Sequence, residues 1–518
     1  MGKYVENQRY LIDLEYQEQV AGFDEKLRKL TKRQLQRQGL ALLSMKVDSQ
    51  ATGLAGKSVV EFGGGFENAL PSHQFKVGDV ARVEKASQSV TGVVTATKEG
   101  SITMAFEEFP DDIKDGLTIM LLPNDISFKR MKYALTKLAE LPNLQTHNEL
   151  LTTAFDPNYK AFTPSELEDF KLFYNEGLNN LQKKAVIRSA CSNQAINLIH
   201  GPPGTGKTET IIEVIKQIAK PLNTKNSSGK PKKILVCAPS NLAVDNIVER
   251  LGADERFPLV RLGHPARMLN GVVKFSLDYQ LIQGDQSALI NDIRKDIDGL
   301  VNQLPKSKTR RELYSQLKDL RKELKLRERN SIQDLFRSTQ IILCTLNMAG
   351  SRKLNGLTFD VAIIDEASQA LESETWLPIL ISKRVIFAGD HQQLPPTVTS
   401  ELAASKGLSQ TMFGKLMKVR PELSIMLQVQ YRMHECIMNW ASDAMYDGKL
   451  VAHDSVARHL LSGICPGVEF DEPFMFIDTA GQDMWESTQE DGLDDAESRL
   501  NQGEAEIAIK HAKAMIES

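Results

Sequence analysis

Cysteine is scarce in this chain, and the five present (Cys191, Cys237, Cys344, Cys436 and Cys465) stand far apart with no Cys-x-x-Cys pair. That spacing argues against a disulfide framework and against a zinc ribbon, and it points to a reducing compartment. Long apolar runs are also missing. Stretches such as Val361-Ala-Ile-Ile364 last a few residues, far short of the ~20 that a membrane-spanning helix needs. The opening residues, Met1-Gly-Lys-Tyr-Val-Glu6, carry no apolar signal core. Charge of either sign is nearly balanced: the formal net charge is −4, so affinity for nucleic acid must come from local patches. With 41% hydrophobic and 25% charged residues, the composition is that of an ordinary globular protein. At 518 residues it is too long for one ordinary domain. The expectation is a soluble, intracellular, multidomain protein without a membrane partner, in the nucleus, the cytoplasm or both.

What is there divides into five stretches. Residues 1–38 predict helix, with Leu11, Leu14, Val20, Phe23, Leu27 and Leu30 at roughly helical spacing. The basic run from Lys26 to Arg37 reads either as a solvated face or as a phosphate-contacting one. In residues 39–124, short runs (Val59-Val60, Val77 to Val83, Val90 to Thr97, Ser101 to Phe106, Leu117 to Leu122) alternate with Gly-rich turns and predict a small β-barrel or sandwich. Such barrels often bind single strands, although nothing in the run marks a binding face. Residues 125–195 are a helical lead-in. Residues 196–405 alternate buried strand-like runs with helices, the pattern of a parallel sheet with right-handed crossovers.

One interval there, 268–332, is too long for a plain crossover. Leu289, Ile293, Ile297, Leu300 and Leu304, then Leu313, Leu317, Leu320 and Leu324, form two amphipathic stripes broken at Pro305 to Ser307. They predict an inserted antiparallel helical hairpin. From Lys306 to Arg329 it carries ten Lys or Arg against four acids, which suits either a solvated stalk or a basic arm on nucleic acid. Residues 406–518 open a further α/β section, with Ile425 to Leu427 and Phe474 to Ile477 as predicted strands. An acidic loop at 481–500 and a helix from Gly503 to Ile516 follow.

The chemistry concentrates at Gly201-Pro202-Pro203-Gly204-Thr205-Gly206-Lys207-Thr208, which satisfies G-x-x-x-x-G-K-[ST] between a predicted strand and a predicted helix. Glycines let backbone N–H groups converge on phosphates, and the helix start adds positive potential. Lys207 is expected on the β and γ phosphates of ATP, and Thr208 on Mg²⁺. The run Val361-Ala-Ile-Ile-Asp365-Glu366 supplies the second half: Asp365 for the metal's water shell and Glu366 to orient or deprotonate the attacking water. Hydrolysis, rather than nucleotide storage, follows from the pair.

The surrounding segments resemble superfamily 1B helicases, and more narrowly the immunoglobulin mu-binding protein and yeast DNA helicase A branch, relatives of the nonsense-mediated decay helicase. The likeness rests on Asp365-Glu-Ala-Ser368, Gly389-Asp-His-Gln-Gln393-Leu-Pro-Pro396 and Gln430-Tyr-Arg-Met-His434. It extends to Leu178-Asn-Asn-Leu-Gln182, Ala238-Pro-Ser-Asn241 with Ala243-Val-Asp-Asn246, and Cys344-Thr-Leu-Asn347. The resemblance implies a RecA-like motor domain with a small barrel and a hairpin, and ATP-driven 5′ to 3′ movement on single-stranded DNA, or RNA, by a monomer. It also implies roles. Gln182 would bond adenine and Tyr431 stack on it, Gln393 would sense the γ-phosphate, and Arg432 would act as an arginine finger. Ser240, Asn241 and Thr345 would hold strand phosphates. His434 and Trp440 are expected in packing.

The chain departs from the family after Gln430-Tyr-Arg-Met-His434: the Gly-Arg-rich segment and second arginine-bearing helix of other members are not found in residues 430–518. An incomplete second motor domain, and slow hydrolysis by this chain, are therefore expected. The alternative is an ATP-binding, nucleic-acid-binding regulator with little motor activity. A P-loop kinase or transport ATPase would leave the Gln430-Tyr-Arg-Met segment unexplained.

Overall fold

The computed structural model describes the chain apart from residues 1, 54–56, 65–68, 86–87, 108, 111–113, 124, 142–147, 156–171, 192–193, 220–231, 285–286, 304–309, 465–470, 489–498 and 518. The hairpin break at Pro305 to Ser307 and half of the acidic stretch lie outside the described residues. Two compact units result: Met1–His200 with Thr208–Ile425, and Gly201–Lys207 with Met426–Ser518.

Within the first unit, six antiparallel strands close a barrel in the order β1-β2-β5-β4-β3-β6. They are β1 (Ala41–Thr52), β2 (Ser58–Gly64), β3 (Val80–Lys85), β4 (Gln88–Thr97), β5 (Ser101–Phe106) and β6 (Leu117–Leu122). Alternation sets the inside: Ile102, Met104 and Phe106 of β5 are buried while their neighbours are partly exposed. Phe62 meets Phe106 and Phe109 edge-on at 6.0 and 5.7 Å. Strand β1 was hidden in the sequence because Ser44 takes a positive φ of 56° and the pairing register shifts between Leu42 and Met45. A bulge of this kind breaks the two-residue period that marks a strand.

The larger sheet has seven strands in the order β13-β7-β12-β11-β8-β10-β9. These are β7 (Ile196–His200), β8 (Ile234–Ala238), β9 (Leu259–Leu262), β10 (Ile341–Thr345), β11 (Val361–Ile364), β12 (Val385–Gly389) and β13 (Ser424–Met426). The pairs β7–β12, β12–β11, β11–β8, β8–β10 and β10–β9 are parallel, so their carboxyl ends share one edge. Every residue of β7, β8, β11 and β12 is buried, as expected where helices cover both faces.

Two strand expectations need correction. The strand at Ser424–Met426 is not part of a separate sheet but forms the edge of the seven-stranded one, beside β7. Without it the backbone groups of β7 would form an open edge. Phe474–Ile477 is not a strand, and Phe474 and Phe476 are 69% and 79% exposed. Local β-propensity cannot supply the neighbour that a ladder requires. The strands described in the second unit are two short pairs, Val429–Gln430 with Val451–Ala452 and Ser487–Thr488 with Arg499–Leu500.

The helix Gly2–Lys29 packs into the hydrophobic core of the seven-stranded sheet. Val5 and Ile12 join its main hydrophobic cluster, Trp376 Nε1 donates to Tyr4 Oη at 3.0 Å, and Glu15 accepts the N–H groups of Thr399 and Ser400, each at 2.8 Å. The inserted helices Ser287–Gln303 and Arg310–Ser338 pack through Ile290, Ile293, Ile297, Leu317 and Leu324. Leu289, expected in that seam, is 46% exposed, because the i, i+3, i+7 stripe runs through Ile290 instead. Arg294 pairs with Glu328 across the helices at 2.6 Å, and Asp298 accepts the Thr52 N–H at 2.9 Å, tying the hairpin to β1 of the barrel.

Candidate functional site

The loop from Gly201 to Gly206 links β7 to the helix Lys207–Ile218. Its turn is closed by Thr205, whose N–H and hydroxyl both donate to the Pro202 carbonyl at 3.2 and 2.7 Å. Gly204 and Gly206 take φ of +76° and +73°, the left-handed region in which a Cβ is strained. Gly204 has a second reason to lack a side chain: a Cβ there would lie 2.7 Å from that of Arg432.

Two further segments follow β11 and β12. Asp365 is 3% exposed, and its Oδ1 accepts the Glu366 N–H at 2.9 Å. Glu366 adopts φ 51°, ψ 37°, a left-handed conformation that costs a non-glycine residue about 1–3 kcal/mol and is tolerated where function needs it. Thr208 and Asp365 offer a hydroxyl and a carboxylate, the hard oxygen donors that suit Mg²⁺. Beyond β12, Gln393 Nε2 donates to the Asp390 carboxylate at 2.8 Å, and Asp390 itself is fully buried. A Cβ at Gly389 would meet the Ser368 N at 3.0 Å, a tight contact, so the absence of a side chain there eases the close approach of the end of β12 to the Asp365-Glu-Ala-Ser368 turn. Asp390 stood inside the motif read from sequence, but nothing there signalled its bonding.

Gln182 is buried, and its Oε1 accepts the Asn179 N–H at 2.8 Å while its own N–H donates to Asn179 Oδ1 at 2.9 Å. The expected adenine reader thus also caps the helix Asn180–Cys191.

In the second unit, the Tyr431 N–H donates to the Gly204 carbonyl at 2.9 Å, which brings the Gln430 to Met433 turn onto the phosphate-loop backbone. Buried Gln430 organises that turn: its Oε1 accepts the N–H groups of Arg432 and Met433 at 2.7 and 2.8 Å. The Tyr431 ring lies 4.6 Å from that of His453, and Arg432 is exposed. His434 caps the helix Glu435–Met445 through Nδ1, whereas Trp440 is 71% exposed and is not in packing.

The expected strand-phosphate contacts stand at the ends of β8 and β10. Ser240 Oγ caps the helix Asn241–Leu251 by accepting the Ala243 N–H at 3.1 Å. Asn241 Oδ1 accepts from Arg261 Nη2 at 2.8 Å, and wholly buried Arg261 is itself paired with Asp245. Thr345 precedes the helix Leu346–Ala349 and makes no side-chain cap bond to it. Arg130, on the helix Ile126–Glu140 that follows the barrel, donates to Asn347 Oδ1 at 2.6 Å. The bonds that Arg130 and Arg261 make to Asn347 and Asn241 were not legible in the sequence, because their partners are distant in sequence or unremarkable in composition.

The chain is similar to known proteins along most of its length. Residues 5–117 match the family described as Helicase SMUBP-2/HCS1, 1B domain, and residues 177–401 and 408–518 each match an AAA domain. The chain is 39% identical over 94% of its length to DNA-binding protein SMUBP-2 of Mesocricetus auratus, of which it covers 50%. It is 36% identical over 93% of its length to DNA polymerase alpha-associated DNA helicase A of Schizosaccharomyces pombe, covering 75% of that protein. An uncharacterized ATP-dependent helicase of Methanocaldococcus jannaschii is 32% identical over 86% of the chain, with 71% of its own length covered. The chain thus spans about half the length of the SMUBP-2 relatives it matches. With a barrel, a largely parallel seven-stranded sheet and the ordered motifs in place, the chain belongs to the superfamily 1 helicase family of SMUBP-2 and DNA helicase A.

Proposed function

We propose that the chain is the motor part of a nucleic-acid-stimulated ATPase that moves along single-stranded DNA, or RNA, in the 5′ to 3′ direction and unwinds duplexes ahead of it. The observation that carries this reading is how the sheet sorts its strand ends. In sequence, the nucleotide and strand-phosphate segments are interleaved. In the sheet, β7, β12 and β11, which precede the phosphate loop, Gln393 and Asp365-Glu366, are neighbours, and β8 and β10, which precede Ser240-Asn241 and Thr345, lie beside them. Ligands of open parallel sheets bind at this carboxyl edge. The strand β11 end and the strand β8 end are in direct register, Ile364 facing Cys237, so a shift at one site reaches the other through a single ladder.

In this reading Lys207 neutralises the β and γ phosphates, and Thr208 and Asp365 hold Mg²⁺, which adds charge neutralisation when bound. Glu366 orients and deprotonates the water, Gln393 contacts the γ-phosphate, and Arg432 stabilises the charge that develops in transfer. Gln182 and Tyr431 hold the base. Ser240, Asn241 and Thr345 hold the strand. The named relatives are DNA-binding proteins and helicases, which supports the substrate class.

A second reading, an ATP-binding regulator with little motor activity, is favoured by the second unit, whose described strands are two residues each. Steady-state ATPase with and without single-stranded DNA, and unwinding of duplexes with a 5′ or a 3′ tail, separate the two. Stimulated turnover with 5′-tailed unwinding supports the motor; ATP binding without stimulation supports the regulator.

A further inference from the structure

We infer that His200 and Asp390 are positioning residues that hold Gln393 for the hydrolytic step, an assignment resting on the ATPase reading above. Asp390 lies just beyond β12, with no exposed surface. Its two carboxylate oxygens are divided between partners. Oδ1 lies 2.9 Å from His200 Nε2 and accepts the Gln392 N–H at 3.1 Å. Oδ2 accepts from Gln393 Nε2 at 2.8 Å. The backbone N–H of Asp390 donates to Ser368 Oγ at 3.2 Å, which fixes the residue to the turn after Asp365-Glu366.

A carboxylate withdrawn from water is tolerated where donors surround it, and here each donor comes from a functional segment. His200 is the last residue of β7, immediately before the phosphate loop, and the strand pairing sets it opposite Gly389. The carboxylate places the imidazole proton on Nε2. His200 then restrains Asp390, and Asp390 restrains one amide N–H of Gln393. A primary amide has two N–H donors and an oxygen with two lone pairs. Fixing one N–H therefore aims the second N–H and Oε1, the groups suited to a phosphate oxygen and a water. Gln393 is otherwise on an exposed loop, where the side chain would sample several rotamers. The relay spans the ends of β7 and β12 and ends on the γ-phosphate side of the site; neither His200 nor Asp390 need touch the nucleotide.

Five proteins test it: the wild-type chain, His200→Phe, which keeps a ring and removes the donor, His200→Gln, which keeps an N–H donor, Gln393→Ala, and the double variant that combines His200→Phe with Gln393→Ala. His200→Ala replaces the Phe variant should that one not fold. The probes are ADP and ADP with aluminium fluoride, a stand-in for the phosphoryl group in transfer, titrated with Mg²⁺ present; kcat and KM for ATP are measured alongside. His200→Phe should bind ADP within about twofold of wild type and lose roughly tenfold in affinity for the fluoride complex, as expected for one hydrogen bond to a charged group. Its kcat should fall with little change in KM, and His200→Gln should restore most of both. In the Gln393→Ala background, His200→Phe should cost nothing further. Equal losses for ADP and the fluoride complex, failure of Gln to restore, or additive losses in the double variant would each overturn the relay. A wild-type chain that binds ADP but shows no preference for the fluoride complex would instead overturn the hydrolytic reading, and the relay with it.

Discussion

Arg261 and Asp245 form an ion pair sealed from solvent, with Arg261 Nε 2.8 Å from Asp245 Oδ1 and both side chains 1% exposed. The pair reaches the surface through Asn241, which takes a second bond from the same guanidinium, and through Leu269, whose N–H donates to Asp245 Oδ2 at 2.9 Å. A buried charge pair does little for net stability relative to an apolar pair, but it holds what it touches in one geometry.

Removing one partner should therefore be costly in two separable ways. Arg261→Leu should lower stability by about 3–5 kcal/mol, because Asp245 is left buried without its countercharge. Arg261→Leu combined with Asp245→Leu should recover much of that loss yet still bind single-stranded DNA weakly, since Asn241 has lost its holder. Urea titration and fluorescence anisotropy read the two effects. Recovery of DNA binding along with stability would show that Asn241 needs no positioning.

Lys207→Ala should abolish ATP turnover and weaken nucleotide binding, because it removes a positive charge from the β and γ phosphates. Glu366→Gln should bind ATP normally and lose at least ~10²-fold in kcat, the usual scale for a preorganised group at the reacting centre. Glu366→Gly should also lose turnover, but relief of the left-handed strain at this position should offset the added chain entropy, leaving the thermal midpoint equal or higher. Nucleotide binding by isothermal titration and steady-state ATPase separate the three variants.

The basic hairpin is tested by charge rather than by deletion, since cutting Lys306 to Arg329 would strip Leu317 and Leu324 from the seam they share with Ile297. Lys318, Lys322, Lys325 and Arg329 are exposed. Changing all four to Gln should lower single-strand affinity and flatten its salt dependence, each lost phosphate contact reducing the slope of log K on log salt by ~0.7. An unchanged slope would make the hairpin a solvated stalk.

Glu374 gives a pH signature. The helix Glu372–Ile379 desolvates its carboxyl, although part of the side chain reaches the surface, and pushes it up to about 7 from an ordinary value of 4.5. An acid whose folded pKa is raised contributes stability below its unfolded pKa and loses it as pH rises through the folded value. Wild-type thermal stability should thus carry a decline between about pH 4.5 and 7 that Glu374→Gln lacks. Parallel melting curves for the two proteins across that range would refute the assignment.

The sequence by itself determined where the loop from Gly201 to Gly206 stands and much of the architecture. The phosphate loop was legible because its glycines, Lys207 and Thr208 act through their own backbone and one helix start, all within eight residues. Strands β7 to β12 announced themselves because strands buried on both faces are mostly apolar, with Asn197, His200 and Arg261 as the polar exceptions in β7 and β9. What depended on partners far along the chain was not legible. Strand β1 was masked by the bulge at Ser44, and Ser424–Met426 joined the first sheet because β7 needed an edge neighbour, a requirement invisible at residue 424. Phe474 to Ile477 had strand composition and no ladder. Only the tertiary structure decided that β7, β12 and β11 would be neighbours with β8 and β10 beyond them, and that His200 and Asp390, 190 residues apart, would share a hydrogen bond. Pairing between strands is a non-local choice, set by which buried surfaces and backbone edges are satisfied together, and no window of sequence contains both sides of it.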